Sequence, residues 1–382
     1  EQFPELPMQW RDHGYEIDQR LGKGAYGAVY RLVKNRGAEN EEFSALKVIS
    51  WELGTEQIRE YDNDLEKARR NFSRLFNKAV NEVSILESLA GEAHIVQLKG
   101  SCIEKMPEEN YCRLYIQMEY LTDLLSFMDQ EGPLDETEVI RLGIELCRAL
   151  EVCHRQGILH RDIKPGNILV SKDGEFKLGD FGVAREWVDA SMTIVGTRSY
   201  LAPEAVKFMP YDKRADIYSL GMVLYYLSND RHLPFSDIID ADERMQKRVF
   251  GTARLPEPCR AFEGMRLVIA KACAYDPEER YQSAAQLRQA LEKVSKAPYG
   301  YCPECGKKLL KKNGPYGNFL GCSGFRKNKP GACDFHSGID KFLIHLNESR
   351  QGWKPEYGYR SERINSEYLT EMHNKRRKYT CR

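Results

Sequence analysis

Four side chains suited to one chemistry stand in two short runs of this 382-residue chain: Asp162, Lys164 and Asn167 in HRDIKPGN (residues 160–167), and Asp180 in DFG (residues 180–182). They supply a carboxylate to orient an acceptor hydroxyl, a fixed positive charge and two oxygen ligands for magnesium, which is what phosphoryl transfer from ATP requires. Between the runs lie apolar residues 168–170 and the turn Lys172-Asp173-Gly174, so the expected order is catalytic loop, hairpin, metal-binding loop.

Further elements are needed to position these groups. Gly22, Gly24 and Gly27 are spaced as GxGxxG, a pattern shared by strand-turn-strand hairpins and dinucleotide-binding loops. Ala28-Val29-Tyr30 and then residues 43–49 read as strand rather than the helix a dinucleotide turn needs. Lys47 interrupts that second apolar strand; an isolated lysine there usually snorkels to water. Glu82 has a helical context, with Ala79, Val83 and Leu86 on an apolar stripe, and Glu87 is its competitor as partner for Lys47.

In this order the motifs resemble the eukaryotic-type protein kinase family over residues 15–294. The resemblance implies an α+β, bilobal protein kinase fold: a leader (1–14), a small lobe (15–120) and a large lobe (121–295). It implies that Lys47 holds the α- and β-phosphates of ATP and is fixed by Glu82. The three glycines would cover the phosphates, with Val29, Ala45 and Leu169 lining the nucleotide. Met118 would be the gatekeeper, the backbone of Glu119 and Leu121 would bond the base, and Asn167 and Asp180 would hold Mg2+ or Mn2+. Asp162 would orient the acceptor and Lys164 would stabilise the transferring charge. The usual Gly-Gly after the hinge is missing, since Thr122 leads straight to Asp123-Leu124-Leu125. Asp123 is then either a ribose ligand or a helix N-cap.

The same resemblance pairs Glu204 of the APE motif with Arg280, lets Asp216 brace the catalytic loop, and builds a packed spine from Leu86, Leu98, His160 and Phe181. Lys164 together with Thr197 matches kinases that act on serine and threonine of protein substrates. Gly166, where many kinases of basic substrates carry glutamate, argues against a strong basophilic preference. Arg161 before the catalytic aspartate implies an activation-loop phosphate, with Thr193 first and Ser191 second as acceptors.

The stretch between Lys47 and Glu82 is about twice the family length, so residues 51–78 are read as an insertion. Leu65, Ala68, Phe72, Leu75, Phe76, Ala79, Val83 and Leu86 recur at helical intervals, which predicts a helix running into that of Glu82. It is either a solvated helix on the small lobe or a regulatory or dimer surface acting on Glu82.

Of 11 cysteines, Cys102, Cys112, Cys147, Cys153, Cys259 and Cys273 are scattered and expected to be buried thiols in a reducing compartment. Cys302, Cys305, Cys322 and Cys333 form a CPxCG knuckle and a second pair, the pattern of a closed four-thiolate Zn2+ site, with His336 as the alternative fourth ligand. A segment of about 40 residues (300–340) buries little core, so metal would contribute folding free energy on the order of 10 kcal/mol. This zinc ribbon resembles the four-cysteine finger at the carboxyl end of type IA topoisomerases, which implies single-stranded nucleic acid as a partner. Lys307, Lys308, Lys311, Lys312, Arg326, Lys327 and Lys329 could meet phosphates, and Tyr301, Tyr316, Phe319 and Phe325 could stack on bases. Ribbons also serve as protein-interaction or purely structural modules.

Charge is balanced, with 57 Lys+Arg against 57 Asp+Glu, so any basic surface is local. No apolar stretch approaches the roughly 20 residues of a bilayer span, and no secretory leader is present. A membrane is therefore not an expected partner, and a cytoplasmic location is expected, or a nuclear one in a eukaryote. Residues 293–299 read as a short linker that keeps the ribbon near the large lobe, and residues 341–382 as a polar tail with the basic run 375–378. Three readings stay open: an active serine/threonine kinase directed by its ribbon, a nucleic-acid-binding or scaffold protein whose kinase fold only binds nucleotide, or a kinase whose ribbon docks on its lobes and controls activity.

Overall fold

The computed structural model describes residues 3–24, 27–52, 58–59, 64–106, 111–181, 199–207, 209–325 and 332–348. Contacts divide the chain into two compact units: residues 1–133, 145–220 and 283–285, and residues 134–144, 221–282 and 286–382.

The first unit is built on an antiparallel sheet of β1 (Tyr15–Gly24), β2 (Gly27–Lys34), β3 (Glu42–Glu52), β4 (Leu98–Met106) and β5 (Tyr111–Glu119), ordered β1-β2-β3-β5-β4. Register decides what shares a face. Lys47 pairs with Val29 and Ile116, and Ala45 with Met118, so these side chains share one face. Leu46 and Val48 flank Lys47 and turn to the other face, where Leu32 and Tyr115 are buried with them.

Residues 3–14, expected as a leader, are packed on the sheet. They form a strap with helix α1 (Met8–Arg11), and its Leu6 and Trp10 are buried in the cluster that covers the sheet. The apolar side chains of β2, β3 and β5 gain more by being covered than the strap loses in chain entropy.

Helix α2 (Leu65–Ser88) joins the inserted segment to Glu82 in one 24-residue helix, capped by the Asp64 carboxylate on the Lys67 amide. Ala68, Phe76, Val83 and Leu86 are buried along its inner stripe, whereas Leu65, expected on that stripe, is exposed in the first turn. The side chains of Leu75 and Ala79 lie outside the described residues. β3 continues to Glu52, so the expected insertion begins inside a strand. A second sheet, β6 (Thr122–Asp123), β7 (Ile168–Val170) and β8 (Phe176–Leu178), frames the two chemical runs. Helices α3 (Leu124–Glu131), α4 (Glu136–Arg155), α5 (Pro203–Val206) and α6 (Arg214–Leu227) come later along the chain.

The second unit contains α7 (Ala241–Val249), α8 (Glu263–Ala272), most of α9 (Ala284–Ser295), and the ribbon sheet β11-β10-β9, made of β9 (Leu309–Gly314), β10 (Gly317–Cys322) and β11 (His336–Gly338). Its core joins Phe262, Tyr299, Cys302, Leu309, Leu320 and Cys322 to Phe342, Leu343 and Leu346 of α10 (Ile339–Glu348). The expected polar tail therefore starts too early, because its first turns close the ribbon core. The expected linker is packed as well: α9 reaches Ser295, and the Tyr299 ring meets Phe262 edge-on at 5.3 Å. The tail residues 349–382 lie outside the described residues. Cys112, Cys147, Cys153 and Cys273 are buried as expected of small apolar side chains, but Cys259 is exposed, with its thiol donating to Asp230.

Candidate active site and metal centre

The catalytic run sits in a loop fixed from below. Asp216 at the start of α6 accepts from the His160 amide (3.0 Å) and the Arg161 amide (2.9 Å), and its Oδ2 lies 2.8 Å from His154 Nε2. Burial pushes the Asp216 pKa up, but the hydrogen bond from His154 and the field of both histidines outweigh it, and the net shift is downward. Buried, Asp216 thus braces the loop by accepting from two of its amides. Arg161 and Asp180 adopt left-handed φ values of 68° and 51°, conformations that cost non-glycine residues of order 1–2 kcal/mol each.

Above this brace, Lys164 Nζ donates to Asp162 Oδ2 at 2.9 Å, and Asn167 Nδ2 lies 2.7 Å from the same oxygen and 2.8 Å from the Asp162 carbonyl. The Asp162 carboxylate is buried, with acceptor capacity remaining after these contacts. His160 Nε2 lies 3.0 Å from the Gly179 carbonyl, and its ring packs on Phe181 at 4.8 Å. Burial pushes the His160 pKa down, and the ring ties the two runs together.

Lys47 Nζ lies 2.8 Å from Glu82 Oε1 and 2.8 Å from Asp180 Oδ1. Burial opposes the charge on Lys47, but Asp180 and then Glu82 more than offset it, and its pKa is raised. The same lysine holds Asp180 down at about 2. Burial of Glu82 pushes its pKa upward, against the pull of Lys47. Glu87, the competing partner, is exposed. One cation therefore joins three elements: β3, α2 and the loop after β8.

Along the same sheet face, β2 approaches β3 so closely that a Cβ on Gly27 would stand 2.0 Å from the Val48 carbonyl oxygen, whereas Gly22 has open space. At the hinge the Glu119 amide donates to the Gln97 carbonyl, and its carboxylate accepts from the Gln97 amide and Lys177. Asp123 caps α3 by accepting from the Ser126 amide at 3.0 Å, and its backbone pairs with Leu169 of β7. Asn167 is buried at the end of the catalytic loop. Thr193, Ser191 and Thr197 lie outside the described residues.

In the second unit the four sulfurs of Cys302, Cys305, Cys322 and Cys333 lie within 4.8 Å of one another. Cys302 and Cys333 are 3.5 Å apart and Cys305 and Cys322 3.3 Å. A Zn–S bond of about 2.3 Å in a tetrahedron implies edges of about 3.8 Å, so the donor set fits a closed zinc site with small adjustment. The knuckle is shaped by Gly306, at φ 71°, whose amide donates to the Cys302 carbonyl, and the Gly324 amide donates to Cys322 Sγ. His336 is not among the converging ligands; its Nδ1 faces the Asp334 carbonyl.

Of the basic residues expected to meet phosphates, Lys311 is paired with Asp135, and Arg326, Lys327 and Lys329 lie outside the described residues. Tyr316 at the hairpin tip and Phe325 are exposed, and Lys312 lies over the Phe325 ring at 5.2 Å. A ribbon held close by a short linker was expected, but not the individual contacts within its unit. Thr137 is 3.0 Å from the Tyr299 hydroxyl, the Phe262 amide donates to Glu136, and Arg260 pairs with Asp340. No described helix is long and apolar enough to cross a membrane.

A five-stranded sheet carrying a lysine tied to a helical glutamate and to the aspartate of a DFG run, beside an HRD loop, defines a protein kinase. The chain belongs to the protein kinase domain family, which matches residues 15–293. It is similar to a probable serine/threonine-protein kinase of Clostridium perfringens, with 30% identity over 292 residues, 74% of this chain and 38% of that protein. It is also similar to the serine/threonine-protein kinase PknB of Mycobacterium tuberculosis (35% over 207 residues, 51% of this chain and 32% of PknB). A third relative is the serine/threonine-protein kinase PknK of Mycobacterium bovis (28% over 304 residues, 77% of this chain and 25% of PknK). The chain thus spans between a quarter and two fifths of the length of these curated relatives.

Proposed function

We propose that this chain is an active serine/threonine protein kinase, transferring the γ-phosphate of ATP to protein hydroxyls, with a structural zinc ribbon in its second unit. The observation that carries this reading is the completeness of the ionic set: Lys47 on both Glu82 and Asp180, and Lys164 and Asn167 on Asp162. The donors fit a magnesium-bound nucleotide, since Asp180 and Asn167 offer hard oxygen ligands and Lys47 a cation for phosphate oxygens. Bound magnesium would neutralise charge on the phosphates. Asp162 would accept a hydrogen bond from the acceptor hydroxyl and take up its proton, and Lys164 would stabilise charge on the transferring group. Val29, Ala45, Met118 and Leu169 would contact the base, the Glu119 carbonyl and Leu121 amide would bond it, and the second Asp123 oxygen would face the ribose. Gly22, Gly24 and Gly27 would let the backbone approach the phosphates. Zinc would be held by the four thiolates as a folding ligand without an open position.

Incubation with ATP, magnesium and generic protein substrates, followed by phosphoamino-acid analysis, tests the reading. Phosphoserine and phosphothreonine are expected; nucleotide binding without transfer would favour a scaffold.

A second reading concerns the ribbon. Exposed Tyr316 and Phe325, with Lys312 against the latter, support contact with single-stranded nucleic acid. Salt-sensitive binding of an oligonucleotide, weakened by Tyr316→Ala and Lys312→Ala, is expected; no binding at low salt would remove this reading.

A further inference from the structure

A half-buried antiparallel sheet usually turns polar side chains outward. In the first unit the face opposite Lys47 carries Ser50, Arg113 and Gln117, but also Leu32, Leu46, Val48 and Tyr115, all buried. What buries them is the strap. Leu6 and Trp10 belong to the same cluster, and the Trp10 ring meets Tyr115 at 5.8 Å. Polar contacts hold the strap in register, with the Tyr115 hydroxyl 3.1 Å from the Glu5 carbonyl and 2.9 Å from Glu104, and with Gln9 donating to the Ser101 carbonyl.

The placement is specific to β3. Leu46 and Val48 are the immediate neighbours of Lys47 and point to the strap, while Lys47 points to the site. Lys47 must meet Glu82 and Asp180 at 2.8 Å simultaneously. Movement of β3 toward a vacated outer face would carry the ammonium group away from both carboxylates at once. Stripping the strap would also expose a contiguous apolar patch.

We propose that Trp10 is a positioning residue for Lys47, acting through Tyr115 and the cluster it shares with Leu46 and Val48 to set the depth of β3 behind the nucleotide site. The proposal rests on the kinase reading for its consequence, but the position of Lys47 can be read without turnover.

The test compares the full chain with Trp10→Ala and Trp10→Phe, well below each melting temperature. Acylation of Lys47 by an amine-reactive reagent is followed by peptide mass spectrometry, alongside KM for ATP and kcat. Small misplacements of a binding group cost about 10- to 100-fold. In Trp10→Ala, Lys47 acylation and KM for ATP should each rise by about tenfold with a smaller change in kcat, and Trp10→Phe should restore both to within about twofold. A lowered melting temperature with acylation and KM as in the wild type would overturn the proposal. If Trp10→Ala does not fold, Trp10→Leu is judged by the same criteria. If no phosphate is transferred at all, the acylation result still decides on the strap, and the kinase reading fails separately.

Discussion

Lys47 and Asp180, separated by 133 residues in sequence, meet at 2.8 Å, and each sets the ionisation of the other. Asp180 is held at about 2, below its ordinary 3.8. Its contribution to stability is therefore present above about pH 4 and lost as the pH falls toward 2. Replacing Lys47 by Met should lower kcat/KM by about 10²–10³-fold, the usual cost of one preorganised charge-stabilising donor. Steady-state kinetics would check this; a loss below tenfold would mean that Lys47 is not on the phosphates.

The close approach of β2 to β3 gives a stability prediction. Gly27→Ala places a methyl group 2.0 Å from the Val48 carbonyl oxygen, and the strands must part. We expect a loss of about 1–3 kcal/mol, typical of overpacking, read as a fall in the urea midpoint. Gly22→Ala, with open space around it, should stay within about 0.5–1 kcal/mol of the wild type.

Glu136 carries a pH prediction. Burial lifts its pKa to about 8 from 4.5, while its carboxylate accepts from the Phe262 amide. Its folded pKa is raised, so its contribution to stability is fully present below about pH 4.5 and is lost as the pH rises toward 8. Glu136→Gln keeps an acceptor for Phe262 and removes the charge. It should raise the melting temperature at pH 8.5 by on the order of 5 °C and change little at pH 5. Calorimetry at both values decides it, and parallel shifts would contradict the assignment.

Zinc should be countable and structural. One zinc per chain is expected by elemental analysis. Chelation or Cys302→Ser should open the cluster that contains Tyr299, Phe342 and Leu346, exposing residues 296–348 to limited proteolysis. An unchanged digestion pattern after complete metal removal would show that the aromatic core holds the ribbon alone.

What the sequence revealed was whatever its chemistry keeps in contiguous runs. Asp162, Lys164, Asn167 and Asp180 lie in two loops whose local order is nearly their spatial order, and the four cysteines converge because the knuckle and strand spacings bring them together. The helical stripe from Ala68 to Leu86 was legible through its period, although Leu65 lies beyond the packed turns. The strap was not legible: Leu6 and Trp10 stand in a proline-containing stretch without period, and only the register of β3 reveals what they cover. The short linker announced a ribbon held close, but not its contacts, because Lys311 and Asp135 are 176 residues apart and each reads locally as a solvated charge. The apolar start at Phe342 and Leu343 was visible in the sequence, but not that it closes the ribbon core together with Leu346.

The measurement that bears most directly on the kinase reading is phosphate transfer by the wild type against Asp162→Asn, at saturating ATP and magnesium, with nucleotide affinity measured in parallel. The buried Asp162 carboxylate, held by Lys164 and Asn167, predicts transfer by the wild type and a loss of about 10²–10⁴-fold in the variant at nearly unchanged ATP affinity. Equal transfer by both proteins, or ATP binding by the wild type with no transfer to any protein hydroxyl, would contradict it.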